Sequence, residues 1–202
     1  MRIGFIGAGG VAQTISKHVL PIGHRVLLSN TRGPESLAKV VKELGPGAEA
    51  ATPQQAAEQD IVILAVMWPH VKAALASVSD WRGRVLVDAT NRIASMNPFS
   101  LGDISGPTSS EIVANHARGA KMVKAFNSVP MAWISDFTVS KPRTVLFMSG
   151  DDAGAKKPVS DLINQIGFEP LDLGSLEIGG RLQQLGGSLA GVRLIFNERL
   201  IL

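Results

Sequence analysis

The chain has 202 residues, 45% of them apolar, with 20 basic and 17 acidic side chains for a net charge of +3, enough for one well-cored domain and at most a small appendage. The absence of cysteine and tyrosine excludes disulfides, thiolate metal sites, thiol nucleophiles and any phenol that would protonate a carbonyl. Basic residues are scattered, with no run longer than the Lys156-Lys157 pair and so none of the runs that mark a nucleic-acid partner, and a cysteine-free chain fits the cytoplasm.

Met1-Arg2 leads directly into an apolar segment, with no long hydrophobic leader and no small-residue cleavage site, so the chain reads as soluble and unprocessed. Short Val/Ile/Leu-rich runs then alternate with amphipathic stretches. Strands are predicted at Arg2–Ile6, Arg25–Ser29, Ile61–Val66, Arg84–Ala89, Lys121–Phe126, Thr144–Ser149 and Glu169–Asp172. Their scant alternation suits strands buried on both faces of a parallel sheet. Helices are predicted at Val11–Leu20, Pro34–Leu44, Pro53–Gln59, Pro69–Val78, Ser109–Arg118 and Ala153–Ile166. Thr108-Ser109-Ser110-Glu111 fits a capping box, Asp152 stands where a cap should precede the next helix, and Pro158 belongs near that helix's first turn. The longest apolar run, Ile61 to Trp68, has eight residues against the ~20 of a membrane span, so no membrane partner is expected. Met96–Pro107 reads as a long loop. In the tail, Leu182, Leu185 and Leu189 are spaced for a helix that the glycine pairs 179–180 and 186–187 weaken, and Val192–Leu202 is apolar enough to need covering. The expected fold is α/β, a Rossmann-type, doubly wound and mainly parallel sheet over residues 1–173. Residues 174–202 then form a short helical, apolar tail on the sheet or on a dimer partner.

The chemistry begins where the first strand ends. Gly7-Ala8-Gly9-Gly10-Val11-Ala12 is a G-x-G-x-x-A fingerprint between a strand and an amphipathic helix, the setting of a dinucleotide site. Gly7 permits the tight turn, Gly9 lets backbone approach a pyrophosphate, and Ala12 permits close helix–sheet packing. The helix N-terminus offers free N–H groups to the anion. A site that takes NAD sets a carboxylate on the ribose at the end of the second strand. Here that strand runs into Asn30-Thr31-Arg32-Gly33, with no carboxylate before Glu35. An amide, a hydroxyl and a guanidinium suit a 2′-phosphate, so NADP(H) is the expected cofactor.

Three further segments fall at the ends of predicted strands: Ala65-Val66-Met67-Trp68, Asp88-Ala89-Thr90-Asn91, and Lys124 to Pro130. Asn91 and Asn127 can donate and accept at once, which suits a nicotinamide carboxamide. Trp68, Phe126 and Trp133 are candidates for an apolar wall beside the ring. The plainer alternatives are that the asparagines serve turns, the aromatics serve the core and Arg32 is a solvated loop charge. His24 reads as structural, His18 as outward-facing on the first helix, and His70 and His116 as solvated near helix termini, the alternative for either of these two being a proton donor. No two histidines have metal-ligand spacing on one helix face, and no nucleophile–base pair is visible, so neither a metal site nor a catalytic side chain is expected. Lys124 reads as the partner of a buried carboxylate such as Asp88.

Gly7–Ala12, Thr31-Arg32, Ala65–Trp68, Val123–Pro130 (VKAFNSVP), Gly150-Asp151-Asp152 and Gly167-Phe168-Glu169-Pro170 together resemble the NADP oxidoreductases that use a deazaflavin coenzyme. The resemblance runs over essentially residues 1–173, and extends to the cytosolic reductase domain of six-transmembrane metalloreductases. It implies that Thr31 and Arg32 take the 2′-phosphate and that Val66, Met67, Ala125 and Asn127 contact the cofactor. Two positions depart from the family: Ser36 stands where a Lys often follows the Arg by four residues, and Met67 where Pro is usual. The tail with Arg181-Leu182-Gln183-Gln184 looks like a separate branch. The expected function is hydride transfer between NADP(H) and a flavin or deazaflavin-type small-molecule acceptor, in a homodimer. One alternative is a reductase of a small imine or keto acid; relatives of that kind append a large helical domain, so a dimer would have to complete the pocket here. The other is a non-catalytic NADP(H)-binding redox sensor.

Overall fold

The computed structural model describes residues 1–128, Pro130, Ile134 and 143–196. Its first half alternates β1 (Arg2–Ile6), α1 (Gly10–Val19), β2 (Arg25–Ser29), α2 (Ala38–Leu44), β3 (Ala48–Ala50), α3 (Pro53–Ala57), β4 (Ile61–Leu64) and α4 (Val71–Ala76). Single 3-10 turns, Pro34–Leu37 and Trp68–His70, lead into α2 and α4. β5 (Val85–Asp88), the hairpin β6 (Ile93–Met96) and β7 (Phe99–Leu101), α5 (Ser109–His116), β8 (Lys121–Ala125) and β9 (Arg143–Ser149) follow. α6 (Ala153–Gln165), β10 (Glu169–Asp172), α7 (Ile178–Gln183) and β11 (Ile195–Phe196) complete the described chain.

Strand order is β10-β9-β8-β5-β4-β1-β2-β3, with β11 on β9. Neighbours run parallel except where β9 meets β8 and β11. The near-continuous apolar strands are explained by cores on both faces. Ile3 and Phe5 of β1 and Ile61 and Ile63 of β4 pack with α1 and α6, while Ile6, Val62 and Leu64 pack with α3, α4 and α5. At Gly4 the second layer touches backbone: a Cβ there would stand 1.8 Å from the Ala56 carbonyl oxygen.

β8 meets β9 over only Lys124↔Ser149 and Ala125↔Met148, because the chain turns away at Phe126, a buried phenylalanine with φ 64°. That left-handed conformation costs a side-chain-bearing residue roughly 1–2 kcal/mol. The edge that β8 leaves is taken by the tail: Val145 N–H donates to Leu194 O (2.9 Å), and Ile195 and Phe196 pair with Thr144 and Arg143.

Several expectations are revised. Met96–Pro107 is not wholly loop, since its start belongs to the β6–β7 hairpin, and β3 and β11 carry no strand signal of their own. Pro158 lies inside α6, beyond its first turn. His18 faces inward: its Nε2 lies 2.6 Å from Ile134 O, and its ring meets Phe168 edge-on. Val129, Trp133 and residues 197–202, named in the sequence reading, lie outside the described residues. Among those described, no helix is long and apolar enough to cross a membrane.

Candidate functional site

β1 sits between β2 and β4, and the connections that leave it and β4 cross to opposite faces of the sheet. Open α/β sheets bind ligands at such a switch point, at the carboxyl ends of the strands. A cleft of about 320 Å³ opens there. Gly7, Ala8 and Gly9 form one wall, Ser29, Asn30 and Thr31 a second, and Ala65, Val66 and Met67 a third, with Pro53, His70, Ala73 and Ser77 closing the side toward α3 and α4.

Gly7 makes the meeting of these strand ends possible. Its φ is +111° and its N–H donates to Ser29 O (3.0 Å), while a Cβ would stand 2.3 Å from Ala65 O. Gly9 caps α1 without any side-chain bond, and a Cβ on Gly9 or Gly10 would meet nothing within 4 Å. The first intrahelical bond is Gln13 N–H to Gly9 O (3.0 Å), so the N–H groups of Gly10, Val11 and Ala12 are left to a ligand or to solvent. No acidic residue stands in that first turn. Ala12 is fully buried against the sheet, and Gln13 Nε2 donates to Ala8 O (2.9 Å), pinning the loop from behind.

At the end of β2, Ser29 Oγ donates to Phe5 O (2.7 Å). The Asn30 side chain organises the loop that follows: Oδ1 accepts the Arg32 N–H (2.9 Å) and Nδ2 donates to Ser36 Oγ (2.9 Å), which donates on to Gly33 O (2.7 Å). Thr31 and Arg32 are exposed. Arg32 stands beyond the cleft lining and makes no ion pair among the described residues.

Beyond β4, Met67 is 48% exposed, and the Arg92 guanidinium lies over the Trp68 ring at 5.7 Å. Asn91 and Asn127, at the ends of β5 and β8, are joined: Asn91 Nδ2 donates to Asn127 O (2.9 Å) and Asn127 Nδ2 to Asn91 Oδ1 (3.2 Å). They and Ala125, whose side chain lies wholly in the core, stand outside the cleft lining. Beneath them Lys124 Nζ meets Asp88 Oδ2 (3.1 Å), both side chains fully buried. Ser109 Oγ and Thr90 O also accept from Nζ, and Thr90 and Ser110 donate to the carboxylate.

The structure thus gathers Gly7, Ala8, Gly9, Asn30, Thr31, Ala65, Val66 and Met67 around one cleft, with Gly10, Val11 and Ala12 opening the helix beside it. Sequence reasoning missed Ser29, Pro53, His70, Ala73 and Ser77. Ser29 was the one within reach, as the last residue of a predicted strand; Pro53 at the start of α3, and His70, Ala73 and Ser77 in and around α4, need the knowledge of how those segments sit against β1.

The family model described as NADP oxidoreductase, coenzyme F420-dependent, matches residues 2–92. The crystal structure of a hypothetical protein from Sinorhizobium meliloti is similar throughout, with 36% identity, a TM-score of 0.89, and coverage of 98% of this chain and 97% of that one. The F420-dependent NADP reductase of Methanocaldococcus jannaschii is 25% identical over 98% of this chain and 95% of its own length. Metalloreductase STEAP3 of Rattus norvegicus is 25% identical over 87% of this chain, which spans 34% of that protein. The chain spans about a third of the length of the metalloreductases it matches. A Rossmann-type sheet with a glycine-walled cleft at its switch point is the architecture of a dinucleotide-binding protein. The family match covers residues 2–92, and over nearly its whole length the chain is similar to a protein named an F420-dependent NADP reductase.

Proposed function

We propose that the protein transfers hydride between NADP(H) and a flavin or deazaflavin-type acceptor. The observation that carries the choice of cofactor is the end of β2. The position where a carboxylate would read an NAD ribose holds Asn30 and Thr31, and the next residue is an exposed Arg32 with no ion pair among the described residues. The open space at Gly9 and Gly10, beside unpaired N–H groups, fits a pyrophosphate. Gly9, Gly10, Val11 and Ala12 would hold it through backbone N–H groups. Thr31 and Arg32 would hold the 2′-phosphate, and Val66 and Met67 would line the path toward the nicotinamide. When bound, NADPH supplies the hydride. Reducing a carbonyl also requires a proton from a poised acid, typically worth about 10²–10⁴-fold in rate; this chain has no tyrosine or cysteine to give one, and His70, the histidine in the cleft wall, has no carboxylate partner among the described residues. A planar redox ring delocalises the incoming charge and takes its proton from solvent.

Calorimetry tests the cofactor: NADPH should bind at least about tenfold more tightly than NADH, and Arg32→Ala should erode that preference by roughly 1–3 kcal/mol. Equal affinities in the wild type would sink the reading. NADPH oxidation measured with a flavin, a deazaflavin, a cyclic imine and a keto acid tests the acceptor, and a faster reaction with either of the last two would favour an imine or keto-acid reductase. The same reading has the protein act in the cytoplasm as a homodimer. Leu194 and Ile195, exposed beside β9, supply apolar surface for that contact, and a monomer by light scattering at micromolar concentration would remove the dimer.

A further inference from the structure

Arg92 has no part in the proposed function, yet the fold holds its side chain in one place beside the cleft. The guanidinium lies 5.7 Å from the centre of the Trp68 ring, and Trp68 directly follows Met67, the last residue of the third cleft wall. Both residues are half-buried. From the other side the arginine is backed by the end of the β6–β7 hairpin. Gly102 N–H donates to Arg92 O (2.8 Å), and a Cβ on Gly102 would stand 2.7 Å from Arg92 Cγ and 2.9 Å from its Nε. The stem therefore runs between hairpin backbone and indole, and any side chain at position 102 would push it out.

The charge so placed has no counterion. Among the described residues the Arg92 guanidinium makes neither an ion pair nor a hydrogen bond. Asp103, on the loop after the hairpin, spends its Oδ1 on the Ser105 N–H (2.9 Å) and hydroxyl (2.7 Å) instead. Elsewhere the same side chain is used differently: Arg82 forks onto both oxygens of Asp80 (3.0 and 3.1 Å). Stacking on an aromatic ring engages the face of a guanidinium and leaves its in-plane N–H donors directed sideways. Those donors match the oxygens of a phosphate or carboxylate two at a time. A fork fixed beforehand also loses little side-chain freedom when an anion docks on it.

We propose that Arg92 is a specificity-determining residue that holds the phosphate of a phosphorylated flavin-type acceptor, so that the substrate class is ring systems bearing a phosphate rather than the bare ring. The inference rests on the reading of the cleft as a site of hydride transfer to a planar ring. NADP(H) running from Gly9 past Val66 and Met67 fills the cleft itself. Trp68 and Arg92 stand beyond Met67, outside the cleft lining, where a side group on the acceptor would emerge. The fork supplies charge and direction there without touching the reacting atoms.

The test follows flavin bleaching by NADPH without oxygen, using the full chain and two acceptors, FMN and riboflavin, that differ only in the phosphate. The wild type should show a KM for FMN about tenfold or more below that for riboflavin, the weight of hydrogen bonds to a charged group. That advantage should shrink as ionic strength rises from about 0.01 M to about 1 M. In Arg92→Met the ratio of the two KM values should fall to about one, with the loss on KM rather than kcat. Arg92→Lys, which keeps the charge but not the fork, should retain part of the ratio. The wild-type comparison decides the matter even should Arg92→Met fail to fold. Equal KM values in the wild type, equal losses with both flavins in Arg92→Met, or a matching loss of NADPH affinity in calorimetry would each overturn the proposal while leaving the ring-acceptor reading in place. No turnover with either flavin would overturn it too, and the ring-acceptor reading would fall with it if a deazaflavin also failed.

Discussion

The glycines of the fingerprint do different work, and substitutions separate them. Gly7 serves the fold, since its positive φ and the Ala65 carbonyl leave no place for a side chain. Gly9 has extended backbone and open space around it, so the fold has no need of a glycine there and only an approaching ligand does. Gly9→Val should therefore keep the wild-type melting temperature and lose NADPH binding, whereas Gly7→Ala should lower the melting temperature itself; thermal melts with and without NADPH check both. The spacing of this motif made it legible in the sequence. Asn30 was less so, because a side chain read as a ligand group spends its amide on the Arg32 N–H and Ser36. Local bonds of this kind depend on the exact fold of a loop, which residue type alone does not reveal.

Elements were legible where local chemistry decides them and obscure where their neighbours do. The Thr108–Glu111 capping box is present as read, and Asp152 caps α6 by accepting the Ala155 N–H (2.8 Å). That bond, with Lys121 at 3.1 Å, holds the Asp152 carboxyl below its ordinary range. A lowered carboxyl pKa stabilises the fold above the unfolded-state value, and the contribution fades as pH falls through the folded-state value. Asp152→Ala should thus lower the melting temperature at neutral pH, and the gap to wild type should close in acid. By contrast, β3 is Ala-Glu-Ala and forms because β2 offers an edge beside it, not through any strand propensity of its own. The hairpin escaped notice because its strands are short and bulged. In α7 the first glycine of the pair that weakens the sequence signal is required by packing: a Cβ on Gly179 would stand 2.7 Å from the Leu173 side chain, whereas one on Gly180 would meet nothing closer than 3.6 Å.

At the scale of the molecule, the sheet order brings the glycine turn, the end of β2 and the end of β4 to one cleft, while α7 and β11 fasten the chain's last described segment to β8 and β9. The strand–helix alternation announced the first of these. The second depended on contacts between residues far apart in sequence, which no local pattern encodes. The buried Asp88–Lys124 pair, which joins β5 to β8 below the asparagines, also constrains how this sequence can change. Removing one partner of such a pair costs about 3–5 kcal/mol, whereas replacing both with well-packed apolar residues is often neutral. Asp88→Leu and Lys124→Met should each be poorly tolerated alone, and the double variant should recover part of the loss but not all of it, because Thr90 and Ser110 lose their buried acceptor; denaturant melts would resolve the three. Neutral drift therefore has no single-step path away from this pair. It is a ratchet in the protein's history, inherited whole or exchanged whole, and descendants that keep one charge without the other should be absent.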